Sequence, residues 1–267
     1  MPDSEGFDIY AWAKAQPTAA LFAAAQTEQD DEVRLPAMRS ELVKRNDALQ
    51  MPLEFVHSSN PDQRAFGLEI LCRFGVHRPD LGKPFFEECV DMSIQCLHDQ
   101  AQVVVTAAAW ALRQLGGPRS SSALIQLRTH MDAEIRVAVI MGIGQNCSHS
   151  PEIIETWLYL MDDPDDDVRD WATFSVGSLS EESSPKIIAA LLNRLEDPFK
   201  PAREEAIWGL ASRRHIAGLE ILVARFETDV WVNGDTDAAE QALVLKNAAP
   251  EELLAGLRNL LAQSQHI

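Results

Sequence analysis

Small and apolar residues recur three, six, seven and ten positions after a fixed slot, and the slot itself recurs along the chain. Arg64 is followed in this way by Gly67, Ile70, Leu71 and Phe74, and Val105 by Ala108, Ala111, Leu112 and Leu115. Arg136 leads Val139, Gly142 and Ile143, with Asn146 breaking the pattern. Arg169 leads Ala172, Ser175, Val176 and Leu179, and Arg203 leads Ala206, Gly209 and Leu210, with Arg213 as a break. A weaker copy starts at Arg34 with Ala37, and a degenerate one, "DAAEQALVLKNA", has its slot near Ala239. From Arg34 to Arg203 the steps are 30, 41, 31, 33 and 34 residues. The spacing puts all these residues on one face of an α-helix, where a turn takes about 3.6 residues.

Between these helices lie further apolar-periodic stretches: "NDALQMPLEFVHS", "PFFEECVDMSIQCLH", "SSALIQLRTH", "PEIIETWLYLM" and "SPKIIAALLNRL". Pairs such as Ser150-Pro151 and Ser184-Pro185 suit a cap followed by a first helical position. No stretch alternates with period two for long enough to make a strand. The pattern predicts an all-α solenoid of about six helical hairpins, because a hairpin that cannot bury its own apolar face buries it against the next copy. Second helices are expected to start near residues 33, 62, 103, 134, 167 and 201. The organisation expected is one domain over 1–267, with a cap at 1–32, repeats at 33–215, and a degenerate repeat and C-terminal cap at 216–267.

The unit L-x-D-P-x-x-x-V-R-x-x-A-x-x-x-L-G-x-L, seen in "DDPDDDVRDWATFSVGSL" and "EDPFKPAREEAIWGLASRR", resembles the HEAT repeat. The likeness is to the short bacterial type first noted in phycobilisome-lyase-like proteins, and it is closest over residues 155–215. It implies an α-solenoid in which a turn Asp and a slot Arg form a ladder between adjacent repeats. Asp99, Asp163 and Asp197 stand six residues before slots Val105, Arg169 and Arg203. Arg64, Arg136, Arg169 and Arg203 with these three acids are thus expected to be structural. Asp99 has no Arg in its own slot, and Arg136 is preceded at that distance by His130, so the ladder is expected to fail in the middle.

Charge narrows the partner. The chain has 267 residues, 41 Asp plus Glu and 23 Lys plus Arg, for a net charge of −18. Such a surface repels nucleic-acid phosphates and anionic lipid and favours a basic partner. Residues 151–200 concentrate the acidity, with 12 acids against 4 bases. The opening "MPDSEGFDIYAWAKAQP" begins with acids and lacks a long apolar run, so it is not expected to act as a secretory signal. No stretch reaches the 18 or so apolar residues of a membrane span. Cys72, Cys89, Cys96 and Cys147 form no C-x-x-C pair, so free thiols and a cytoplasmic location are expected.

Catalytic patterns were not found. The seven His residues are scattered, with no H-E-x-x-H and no His-Glu pair of the kind used by di-iron hydroxylases built from HEAT repeats. "GIGQN" falls inside a helical repeat, where close packing explains its glycines. No cofactor and no metal are expected: the acidic loop of Asp162, Asp163, Asp165, Asp166 and Asp167 lacks the Gly and distant Glu of a calcium loop.

Candidate binding residues come from position +5, which points about 150° from the middle of the core stripe. There the chain places Arg39 and Glu69 and then, in four consecutive repeats, Trp110, Met141, Phe174 and Trp208, with Trp171 at +2, where polar residues would ordinarily face water. Aromatic residues and Met mark protein-binding surfaces; packing between neighbouring helices is the alternative. Asp165, Asp166, Asp167 and Asp170 would steer a basic protein to this face. The reading is a non-enzymatic scaffold or adaptor, expected as a monomer, using a concave face and an acidic surface. Two alternatives stand beside it: an immunity-type inhibitor of a basic toxin, and, from the resemblance alone, a bilin lyase-like enzyme, for which only Tyr10 and Tyr159 offer phenol groups.

Overall fold

The computed structural model describes residues 8–27, 34–144, 150–180, 182–231 and 233–264. The Arg34 side chain, Asn146 and Cys147 lie outside the described residues, as do residues 28–33, which join the expected cap to the first repeat. The described residues are all-α and contain no strand. The second helices begin where the spacing puts them: α3 at Arg34–Val43, α5 at Pro61–His77, α7 at Gln102–Leu115, α9 at Ala133–Ile143, α11 at Asp166–Phe174 and α13 at Lys200–Ser212. The chain packs as two compact units, Met1–Leu124 and Ile125–Ile267.

In the first unit α1 (Ile9–Ala15) and α2 (Thr18–Thr27) lie against α3, and α4 (Gln50–Phe55) and α6 (Gly82–Cys96) flank α5. α5 packs directly on α7, which α8 (Gly117–Ile125) follows. Phe22, Phe55 and Phe66 meet in this unit's core, Phe22 edge-on to the other two rings at 6.4 and 6.2 Å. Cys72 and Cys89 are buried, and burial pushes both thiols up, Cys89 to about 12, so neither is a reactive thiolate.

In the second unit α10 (Pro151–Leu160) and α12 (Pro185–Arg194) pair with α11 and α13. α14 (Ile216–Glu227), α15 (Asn233–Leu243) and α16 (Pro250–Ser264) close the chain over a core that includes Leu219, Leu222, Leu253 and Leu257. The second helices stack in succession, α9 on α11, α11 on α13 and α13 on α15. Their starts are chemically marked. Asp132 accepts from the Glu134 N–H, Asp165 from those of Asp167 and Val168, and Ser184 from that of Ile187.

Among the described residues, the small and apolar residues that follow the slots from Arg64 to Arg203 are buried with one exception. Leu179, at +10 after Arg169, is 40% exposed. The helix widens there into a π-helical turn, Ser175–Leu179, which adds a residue to the turn and rotates its far end away from the core. The same turn accounts for Arg213, the break in the next repeat. Its guanidinium donates to the carbonyls of Val176, Gly177 and Gly209 at 2.7–2.9 Å, and to those of Ser180 and Glu182. A cation at an expected core position thus gathers carbonyls of the widened turn and of the segment after it, with one from its own helix.

Candidate docking face of the second helices

Four slot arginines hold their own turn, and three of them also reach the next repeat. One guanidinium nitrogen donates to two carbonyls of the turn just before its own helix: Ser58 and Ser59 for Arg64, His130 and Met131 for Arg136, Asp163 and Pro164 for Arg169, Asp197 and Pro198 for Arg203. In Arg64, Arg136 and Arg169 the other nitrogens reach forward to the turn Asp of the following repeat. Arg64 binds Asp99 at 2.9 and 2.8 Å, Arg136 binds Asp163 at 2.7 and 2.6 Å, and Arg169 binds Asp197 at 2.9 and 3.0 Å. These are two-pronged carboxylate pairs, the strong geometry for arginine.

The expectation that Asp99 lacks an arginine therefore fails. It assumed a partner in the same repeat, whereas the carboxylate is met by the slot of the repeat before. Each turn acid also accepts the N–H two residues on: Ala101 for Asp99, Asp165 for Asp163, Phe199 for Asp197. His130 takes this acceptor role through Nδ1 to Asp132 N–H, and Ser58 does so for Asn60. Hydrogen bonds from Arg64 and Ala101 hold Asp99 below the usual carboxylate range. Burial pushes Asp197 up, but the donors Arg169 and Phe199 outweigh it and hold it low.

With the ladder fixed, the +5 residues fall between core and open surface. Trp110 in the first unit is half-buried, its ring covered by the Arg113 guanidinium at 5.0 Å. In the second unit Met141, Phe174 and Trp208 are all half-buried. Phe174 meets Trp171 edge-on at 5.9 Å, and Trp171 is 37% exposed. Trp208 leans on the C-terminal core and also lines a small cleft of about 80 Å³ with Glu204, Glu205, Gly234, Asp235 and Ala238.

The acidic loop divides by role. Asp162 is exposed and pairs with Arg194 at 3.0 Å. Asp165 caps α11, and Asp166 binds Arg169 at 2.5 Å, which leaves Asp167 exposed on the first turn. Asp170 is half-buried, and burial followed by the charges of Asp167 and Asp197 pushes it to about 6. Glu205, one repeat on, is pushed to about 7 by burial and then by Asp170 and Glu204. The sequence pattern did not single out Glu204, Glu205 or Asp235. For the two glutamates the signal was their place at +1 and +2 of slot Arg203, the face that carries Asp170 and Trp171 after slot Arg169.

Among the described residues no cluster of His, Cys, Asp and Glu forms a metal-type donor set, and no helix is long and apolar enough to cross a membrane. Residues 154–244 match the model for HEAT repeats, and residues 104–129 that for the PBS lyase HEAT-like repeat. No curated protein sequence matches the chain. Among solved structures, Escherichia coli YibA is 19% identical with a TM-score of 0.74, each chain covered to 98%. Kap95p, solved with RanGDP, is 8% identical with a TM-score of 0.60, covering 99% of this chain and 37% of its own. The Schizosaccharomyces pombe condensin Cnd3–Cnd2 subcomplex is 15% identical at a TM-score of 0.58, covering 97% and 42%. Likeness at these identities is likeness of fold.

Proposed function

We propose that this chain, with HEAT repeats over residues 104–129 and 154–244, is a protein-interaction scaffold that takes a basic protein on the second-helix face of its C-terminal unit. One observation carries the reading. The slot face is buried, yet the opposite positions hold large apolar side chains, Trp171, Phe174 and Trp208, part-open to solvent beside carboxylates. Aromatic groups kept at a surface in this way are what protein interfaces use as anchors. A stack of repeats supplies the extended surface on which to place them. The acidity of residues 151–200 selects for basic partners and speeds their encounter.

The test compares the whole chain with a Trp171→Ser/Phe174→Ser variant as baits in native lysate, after melting shows both folded. Partners captured by the first and lost by the second support the reading. Identical captures by both baits would remove the aromatic face from it.

A further inference from the structure

The cleft beside Trp208 has an unbalanced charge. α13 supplies Glu204, Glu205 and Trp208, and α15 supplies Asp235 and the small residues Gly234 and Ala238. Glu205 and Trp208 are three residues apart and share a helix face. Arg225 from α14 serves two of the carboxylates, donating to Glu204 at 2.6 and 3.1 Å and to Asp235 at 2.7 Å. Neither Glu205 nor the neighbouring Asp170 of α11 has an ion pair among the described residues, and Asp170 Oδ1 is buried without a hydrogen-bond partner. Two half-buried carboxylates are thus held near one another with no cation, which costs folding energy.

We propose that this cleft is a socket for one arginine side chain of the protein partner, its guanidinium lying against the Trp208 indole and the Glu205 carboxylate. The inference rests on the docking reading above and names the group that docks. At about 80 Å³ the cleft is far smaller than a cofactor pocket and suits a single planar group. Half of the lining, Trp208, Gly234 and Ala238, offers no carboxylate to a bare ion. A guanidinium is weakly hydrated, stacks on an aromatic face and donates in its plane, so it matches a wall that is part indole and part acid.

Occupancy has a proton signature. The charges acting on Glu205 are Asp170 from α11 and Glu204 on its own helix; Asp235 of α15 lines the same cleft, and Arg225 of α14 is already bound to Glu204 and Asp235. Because Glu205 is pushed to about 7 and Asp170 to about 6, both carry fractional protons near neutrality. An arriving cation favours the ionised forms and expels those protons.

Calorimetry on the whole chain at pH 7 and low salt tests this with a capped octapeptide of alternating arginine and glycine. Two buffers of unlike protonation enthalpy report proton release, and a lysine–glycine octapeptide serves as control. The arginine peptide is expected to bind with proton release and more tightly than the lysine one. Glu205→Gln should weaken it about tenfold and abolish most of the release. Trp208→Leu should bring the arginine peptide down to the lysine level. Melting at pH 7 confirms that each variant is folded.

The socket is overturned if Glu205→Gln leaves affinity and proton release unchanged, or if folded wild-type protein does not bind the arginine peptide. If binding instead responds only to Asp165→Asn, Asp166→Asn and Asp167→Asn together, the socket falls and the acidic docking surface stands. If no basic peptide binds while Trp171 and Phe174 still govern capture from lysate, the socket falls and the scaffold reading survives.

Discussion

Val244 follows the last turn of α15 with φ of 59° and 78% of its surface exposed. The Leu245 N–H closes back onto Glu240 O at 2.9 Å, a helix end that favours glycine at the left-handed position. A β-branched residue there is strained. Val244→Gly is expected to stabilise the protein by about 1 kcal/mol, read as a rise in melting temperature. Glu205 makes a second residue-scale prediction. Its folded value, about 7, lies above the ordinary 4.5, so the folded state holds the proton more tightly than the unfolded one. Stability from this group is therefore greatest at low pH and is lost as pH rises from about 4.5 to 7. Glu205→Gln should melt above wild type at pH 8 and together with it near pH 4, and the reverse order would show that the carboxylate is not desolvated. Asp99 and Asp197, held low, act oppositely and favour folding at neutral pH over acid.

Between elements, the Arg169–Asp197 rung has side chains 9% and 0% exposed, so removing one partner strands the other charge in the interior. Arg169→Ala is expected to cost about 3–5 kcal/mol in denaturant unfolding. A cost as small as that of a surface pair would mean the rung is wet. Where α13 crosses the widened turn, a Cβ on Gly209 would stand 2.8 Å from Gly177 Cα and 3.1 Å from Leu191. Backbone cannot step aside as a side chain can, and Gly209→Ala should cost about 1–3 kcal/mol by melting. Helix starts and ladder residues were legible in the sequence because both follow from spacing within one repeat. The forward direction of each rung was not, since it depends on how consecutive repeats stack. The π-helical turn at Ser175–Leu179 was equally hidden: its residues continue the helical pattern, and only Arg213, a break in the apolar face, marked the carbonyls to be satisfied. For the docking face, Trp171, Phe174 and Trp208 were visible as apolar residues on a polar side. The pairing of Asp170 with Glu205 was not, because the two lie one repeat apart and meet only when α11 packs on α13.

For the molecule as a whole, a net charge of −18 with 12 acids in residues 151–200 sets the long-range behaviour. Replacing Asp165, Asp166 and Asp167 by Asn should slow association with a basic partner and flatten its salt dependence. Folding should change only modestly: Asn caps α11 as Asp165 does, and the Asp166–Arg169 pair that is lost has an exposed carboxylate while Arg169 keeps Asp197. An unchanged on-rate at low salt would take this loop out of the encounter. The ladder has another consequence, one for inheritance. A slot arginine such as Arg169 grips its own turn behind it and the next turn's acid ahead, so each repeat carries one half of two identical junctions. A duplication copying Pro164 to Asp197, 34 residues, would insert Asp-Pro against Asp-Pro at the seam. The copied Arg169 would find a copied Asp197 in front of it, and the original pair would be undisturbed. A chain wired in this way can lengthen by whole repeats in a single genetic event without first losing a buried ion pair. The surface its repeats present can therefore grow by copying before it is refined by point substitution.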